Sequence, residues 1–346
     1  MKIKQKKMQP VTLRELYKMA KSRAPKKAWN WMNNGTEREL TLGQNVESFK
    51  KYKMNSRVLR DVSKINTQVN FLGVKLNFPL IISPVGYSTQ FHKYGELELA
   101  RGAYLQNTFL TLSPVSSIRI DDIIKKVPKS NIIYQFYALN PRKWVVNEIK
   151  KITKLKVKAI CVGTDVPVKS VKYQTREDRY DARKHGKKTN PRPPLQKMSS
   201  LNWNDIIWLR KITKLPIIIK GIMNAEDAKK SFRCGANVIW VSNHGGRSLD
   251  SGIASIDVLK EIRKAVRNKI IIFDGGIRTG SDILKAISLG ANIVSIGRPS
   301  LCGLIVNGSK GVNKTFELFK EEFISTMGLC GCKSINEINY KIIKNN

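Results

Sequence analysis

Residues 270–298 read IIIFDGGIRTGSDILKAISLGANIVSIGR. The run at 270–274 is apolar on both faces and too short for a helix, the pattern of a strand buried from two sides. It breaks on Asp274-Gly275-Gly276-Ile277-Arg278 and passes into an amphipathic stretch at 281–289 with i, i+3, i+4 apolar spacing. Gly290 ends that helix, and a second apolar run at 293–297 leads into Gly297-Arg298-Pro299. Strand, loop, helix and strand in this order make one unit of a parallel sheet.

The unit recurs outward along the chain. Further strand-like runs lie at 80–83, 108–112, 132–137, 158–163, 216–220 and 238–242, with amphipathic stretches at 95–105, 225–232 and 254–266. Eight buried strands alternating with helices predict a (β/α)8 TIM barrel of the α/β class rather than an open sheet. The sequence divides as one domain: an N-terminal helical extension at 1–79, a barrel at 80–305 and a C-terminal helical segment at 306–346. The segment 69–76 has the pattern of a hairpin, and the extension is expected to plug or flank the barrel. The fragment Lys-Ile-Thr-Lys-Leu occurs at 151–155 and at 211–215, each time before a strand. Intervals between strands are mostly even, but 164–216 is about twice as long. Its middle, 173–194, is dense in charge and proline and predicts a long loop after strand four, a lid over the catalytic mouth.

The chain of 346 residues carries 63 Lys and Arg against 26 Asp and Glu, a formal charge of +37. That excess points to anionic partners, while a hydrophobic content of 41% supports a folded core rather than a basic tail. Three histidines, His92, His185 and His244, are too few for a multi-histidine metal centre. Five cysteines without zinc spacing read as reduced intracellular thiols, so no metal is expected. No run reaches the length of a membrane span, Met1 to Lys7 is not a secretory start, and Lys344-Asn345-Asn346 is not a peroxisomal tripeptide. A cytoplasmic location is the expectation.

On such a barrel the chemistry sits at the C-terminal ends of the strands. Ser113, Gln135 with Tyr137, Asp165, Lys220, Ser242 to Arg247, Asp274-Gly275-Gly276 and Gly297-Arg298 all fall there. The two Gly/Arg loops after strands seven and eight predict a phosphate-bearing ligand, since glycine admits backbone N–H groups and arginine binds phosphate through two N–H groups. His244 can take a proton near neutral pH while Arg247 fixes an anion, Asp165 can hold the protonated ring, and Lys220 can stabilise an anionic cofactor ring.

The run Ser242-Asn243-His244-Gly245-Gly246-Arg247-Ser248-Leu249-Asp250 resembles the signature of FMN-dependent α-hydroxy acid oxidases and dehydrogenases, the family of glycolate oxidase, lactate oxidase, flavocytochrome lactate dehydrogenase and mandelate dehydrogenase. The likeness extends to Arg57-Val58-Leu59-Arg60-Asp61-Val62-Ser63, 209–221, 274–280, Gly297-Arg298-Pro299 and Gly331-Cys332-Lys333-Ser334. It implies FMN as cofactor and oxidation of a small (S)-2-hydroxy acid, lactate- or glycolate-like, to the 2-oxo acid. Oxygen or a separate redox partner would take the electrons, and a homo-oligomer, commonly a tetramer, is implied too. The resemblance makes His244 the base, Asp165 its charge partner, Tyr137 a hydrogen-bond donor to substrate and Arg247 the carboxylate clamp. Pro84, Val85 and Gly86 would support the flavin, with Ser113, Gln135, Ser242 and Lys220 around its ring. Asp274, Gly275, Gly276, Arg278, Gly297 and Arg298 would hold the rest of the cofactor.

Four positions depart from the family pattern. Trp31 stands where relatives carry a carboxylate-binding tyrosine, Gly163 where they carry a threonine, so that the loss of one hydroxyl to the flavin is expected, and Val115 where they carry a tryptophan, so that a more open substrate pocket is expected. A second substrate-binding arginine matches Arg176 before Glu177 with a small insertion, and Lys172 without one; the resemblance favours Arg176. Gly86 leans towards poor oxygen reactivity by analogy. Two other readings compete: another FMN-barrel activity such as isopentenyl-diphosphate isomerase, and a diverged barrel with a polyanion-binding surface. Neither accounts for His-Gly-Gly-Arg, and no specific nucleic acid-binding motif is present.

Overall fold

The computed structural model describes residues 9–185 and 198–345. Its centre is a closed, all-parallel barrel of eight strands. They are β1 (Leu80–Val85), β2 (Phe109–Leu112), β3 (Asn131–Phe136), β4 (Ala159–Gly163), β5 (Ile217–Ile222), β6 (Val238–Val241), β7 (Ile270–Phe273) and β8 (Ile293–Ile296). Each lies within a residue or two of its expected run, because a strand buried on both faces must be apolar throughout. Neighbours in sequence are neighbours in the sheet, and β8 closes on β1 through Val294 opposite Leu80.

The helices between strands follow their periodicity. Gly95–Leu105, Ala225–Arg233, Ser255–Val266 and Gly280–Ser288 each present an apolar face to the barrel. The last begins with a capping box, Thr279 accepting from the Asp282 N–H while the Asp282 carboxylate accepts from Thr279 N–H. A helix over Arg298–Leu329 follows β8 and breaks its helical geometry at Asn307 and Gly308.

The N-terminal segment contributes helices at Leu13–Arg23, Lys26–Asn33 and Leu40–Glu47, then an antiparallel hairpin pairing Val69–Phe71 with Val74–Leu76. Phe71 and Leu76 of the hairpin pack against Ile81, Phe109, Ile133, Ala159, Val238 and Ile293, residues at the entry ends of the strands. The hairpin therefore plugs the barrel end opposite its catalytic mouth. Each of these two buried side chains contributes roughly 1.5–3 kcal/mol by removal from water.

The expected lid at 173–194 is described only as far as His185, and 186–194 lie outside the described residues. The described part is not structureless, forming short helices at Tyr173–Glu177 and Ala182–His185. Met1 to Lys7 and Asn346 also fall outside the described residues. No helix among those described is long and apolar enough to cross a membrane.

Candidate active site

A cavity of about 610 Å³ opens at the C-terminal ends of the strands. Its floor carries a buried charge cluster. Lys220, near the end of β5, is 3% exposed and donates to Ser242 Oγ at 2.8 Å and to Asp165 Oδ2 at 3.3 Å. The Asp274 carboxylate lies 3.7 Å away. A register irregularity at the next residue, Gly221, makes this approach available. Gly221 has φ +112°, and a Cβ there would stand 2.6 Å from Asp165 Cβ. Burial opposes the charge on Lys220, but Asp165 and Asp274 outweigh it and raise its pKa. Burial likewise opposes ionisation of Asp165, yet Lys220 and His244 hold its carboxyl well below the usual range.

His244 sits above this cluster with Nδ1 2.9 Å from Asp165 Oδ1. Its backbone N–H donates to Ser242 Oγ at 3.1 Å. His244, Gly245 and Gly246 have φ of 58°, 64° and 74°, three left-handed residues in succession. Glycine adopts this without penalty, whereas histidine carries a local strain of about 1–2 kcal/mol, held by its two anchors. A Cβ on Gly246 would stand 2.6 Å from the Leu42 backbone, so glycine also lets the helix Leu40–Glu47 close over the loop. Asp250 ties down the same helix, its carboxylate accepting from the N–H groups of Arg38 and Thr41 at 3.0 Å each. The sequence motif marked Asp250 without indicating this anchoring task.

Arg247 is directed back under the N-terminal segment. Its Nη1 donates to the carbonyls of Trp31 at 2.9 Å and Asn34 at 2.7 Å, and its guanidinium lies 5.2 Å from the Trp31 ring centroid. Burial pushes its pKa down to about 10, with Tyr137 and Glu39 resisting, so it stays charged at neutral pH. Burial and the Asp165 carboxylate raise the Tyr137 phenol and keep its O–H protonated. Trp31 meets Tyr87 edge to face at 6.0 Å and lies 6.5 Å from Phe91, forming an aromatic wall in which Tyr87 and Phe91 had carried no sequence signal.

The two candidates for a second cation separate in space. Arg176 is exposed on the short helix Tyr173–Glu177, at the outer rim of the cavity. Lys172, immediately before that helix, is half-buried in the cavity wall and hydrogen-bonds Ser170. Burial pushes Lys172 down to about 8, with Arg247 and Lys169 repelling it further. It is thus Lys172 that shares the electrostatic environment of Arg247.

The remaining expected residues converge. Pro84, Val85, Gly86, Ser113, Asp274, Gly275, Gly276, Arg278, Gly297 and Arg298 all line the same cavity. Ser242 and Gln135 lie buried beneath it. Arg298 donates to the carbonyls of Met32, Gly245 and Asn34 at 3.1–3.2 Å. Burial pushes its pKa down to about 9, and Arg247 and Arg278 add repulsion. Neither Arg278 nor Arg298 forms an ion pair with a carboxylate among the described residues. Ser83 and Ser295, whose hydroxyls are 2.7 Å apart, complete the floor.

Two of the departures alter packing. A Cβ on Gly163 would stand 2.8 Å from Gln135 Nε2 and 2.9 Å from the Tyr137 ring, so both side chains have closed over the place of the family threonine. A Cβ on Gly86 would meet Val115 Cγ2 at 2.3 Å, so Val115 leans onto Gly86 instead of only widening the pocket.

Comparison with known proteins gives the family. Residues 20–345 match the family model described as FMN-dependent dehydrogenase. The chain belongs to that family. A peroxisomal (S)-2-hydroxyacid oxidase of Arabidopsis thaliana is 36% identical over 354 residues, covering 95% of each chain. Human 2-hydroxyacid oxidase 2 is 34% identical over 347 residues, covering 97% of this chain and 99% of its own. A crystal structure of mandelate oxidase with 3,3-difluoro-2-hydroxy-3-phenylpropionic acid superposes with a TM-score of 0.90 at 30% identity, covering 97% and 99% of the two chains.

The site of this FMN-dependent dehydrogenase fits its cofactor on two observations. Both amide atoms of Gln135 are buried beneath the cavity without a partner, an unmet donor and acceptor of the kind a flavin ring edge pairs with. Arg278 lines the cavity without a carboxylate, an environment that a phosphate neutralises, while Arg298 spends its three guanidinium nitrogens on backbone carbonyls.

Proposed function

We propose that this protein oxidises an (S)-2-hydroxy acid to the 2-oxo acid, with His244 as the base and oxygen or a separate redox partner as final acceptor. The observation that carries the reading is the His244–Asp165–Lys220 relay beneath a cavity that also presents Arg247. When bound, FMN takes up the two electrons that leave the substrate's C2 carbon. Pro84, Val85 and Gly86 would support its ring, with Ser113, Gln135, Ser242 and Lys220 at its polar edges. Asp274 and Gly275 would lie along the rest of the cofactor, with Gly276, Arg278, Gly297 and Arg298 at its phosphate-bearing end.

The side chains divide the remaining work. Asp165 accepts a hydrogen bond from the His244 Nδ1–H, which leaves the Nε2 lone pair for the substrate's acidic proton. An ionised Asp165 then stabilises the imidazolium that forms, and Lys220 is what keeps it ionised in a buried site. Tyr137, protonated, donates to the substrate oxygen. Arg247 has Nε and Nη2 without a partner among the described residues, which suits a carboxylate. Trp31 cannot donate a phenolic O–H, but its ring closes the aromatic wall beside that carboxylate.

For the second cation the geometry supports Lys172 over Arg176. A lysine, unlike an arginine, loses its charge within the working range. With its pKa pushed down to about 8, Lys172 is charged below that pH and neutral above it. KM for a hydroxy acid is therefore expected to rise about tenfold between pH 7 and pH 9. Lys172→Arg should flatten the profile, and a wild-type KM that stays level to pH 9 would remove Lys172 from the carboxylate site. The reading as a whole is tested by anaerobic titration of the yellow holoenzyme with lactate, glycolate, mandelate and longer (S)-2-hydroxy acids. At least one should bleach the flavin, and none doing so would overturn the proposed oxidation.

A further inference from the structure

We propose that the preferred substrate carries a second carboxylate, a short-chain 2-hydroxy dicarboxylic acid whose distal anion is received by Lys169 with help from Arg179. The inference rests on the hydroxy-acid reading above and names the substrate class within it.

The charge lining one side of the cavity exceeds what a single carboxylate needs. Lys169, Lys172, Arg176, Arg179 and Arg183 all line it from the segment after β4. Arg183 is paired with Asp181. Lys172 is linked to Arg247 through the Ser170 hydroxyl, which accepts from Lys172 and donates to the Arg247 carbonyl at 2.8 Å, so these two suffice for the carboxylate next to the reacting carbon. Lys169, Arg176 and Arg179 have no side-chain hydrogen bond or ion pair among the described residues. Of the acids nearby, Asp165 serves Lys220 and His244, Asp178 accepts from Asn30 at 3.0 Å, and Glu39 accepts from the Gly35 N–H at 2.8 Å, while Glu177, exposed beside Arg176, does not line the cavity.

Lys169 differs from an ordinary surface lysine in its position. Exposed on the cavity wall beside Ser170, it lies close enough to Lys172 to repel it, so Lys169, Lys172 and Arg247 bring three like charges to one part of the cavity. Like charges so placed cost free energy unless an anion lies between them. A monocarboxylate held by Arg247 and Lys172 leaves Lys169 uncompensated. A second carboxylate a few bonds away on the same molecule neutralises it. The aromatic wall of Trp31, Tyr87 and Phe91 offers the competing possibility of an apolar substrate side chain, and the test separates the two.

The experiment compares acids matched in chain length: (S)-2-hydroxyglutarate with (S)-2-hydroxyvalerate, and (S)-malate with (S)-2-hydroxybutyrate, with mandelate as the aromatic arm. Steady-state kcat/KM is measured on the holoenzyme at low and high salt. The dicarboxylates are expected to be favoured at least about tenfold, with the advantage shrinking as salt rises. Lys169→Met should bring the ratio close to unity, and Lys169→Arg should keep it. In a second arm, 2-oxoglutarate and 2-oxovalerate are titrated into the oxidised holoenzyme, with flavin absorbance reporting binding without turnover. Tighter binding of 2-oxoglutarate, lost in Lys169→Met, supports the inference. Equal binding, a preference for 2-hydroxyvalerate or mandelate, or a dicarboxylate preference untouched by Lys169→Met overturns it. If no hydroxy acid bleaches the flavin, the oxidation itself fails, and the titration arm alone decides on the second anion.

Discussion

His244→Ala is expected to slow anaerobic flavin reduction by the best hydroxy acid about a hundred- to ten-thousand-fold, the range for removal of a positioned general base. The loss should fall on the rate of reduction far more than on FMN content. The His244 ring touches Asp165, and its one contact with a proposed flavin-binding group, Ser242, is made by the backbone N–H, which alanine keeps. Rapid mixing of reconstituted enzyme with substrate, alongside the flavin-to-protein ratio, separates the two effects. Reduction at the wild-type rate would exclude His244 as the base. Alanine removes the ring anchor to Asp165 but keeps the backbone bond to Ser242, which still holds position 244 at its left-handed φ of 58°.

Lys220→Met should have the largest effect on stability and on cofactor retention. The substitution leaves the carboxylates of Asp165 and Asp274 buried without their shared cation. Breaking a buried ion cluster on one side costs about 3–5 kcal/mol. The folded-state pKa of Lys220 is raised, so its contribution is complete below the ordinary lysine pKa and is lost as pH climbs through the raised value. That of Asp165 is lowered, so its contribution is complete above the ordinary carboxylate range and is lost as pH falls towards the depressed value. Wild-type stability from this cluster should therefore be level between about pH 5 and pH 10. In Lys220→Met, Asp165 loses its main counter-charge and is relieved by protonation, so the deficit should narrow as pH falls from 8 to 5. Urea midpoints across that range measure this. A variant as stable as wild type that purifies fully yellow would show that Lys220 holds neither the acids nor the flavin.

Much of the architecture was legible in the sequence because its signals are local. A strand buried on both faces is continuously apolar, and a helix covering it repeats every three to four residues. These two patterns locate all eight strands, and the C-terminal ends of the strands then locate the polar residues that matter. The His-Gly-Gly-Arg run and the two Gly/Arg loops are local too, since backbone turns and anion-binding N–H groups are built from consecutive residues.

Placement across the cavity was not local. The motif match favoured Arg176 over Lys172, whereas the geometry supports Lys172 because a short helix beginning at Tyr173 carries Arg176 to the rim. Gly163 read as the loss of one hydroxyl, while its neighbours Gln135 and Tyr137 had moved into the space. Val115 read as an opening, yet it leans onto Gly86. Lys169 had no signal, being one lysine in a chain with a charge of +37. That charge by itself determined only that anions are favoured partners. Which cations face one another across the mouth, and which lack a nearby acid, depends on distances between residues far apart in sequence, and those exist only once the barrel has closed.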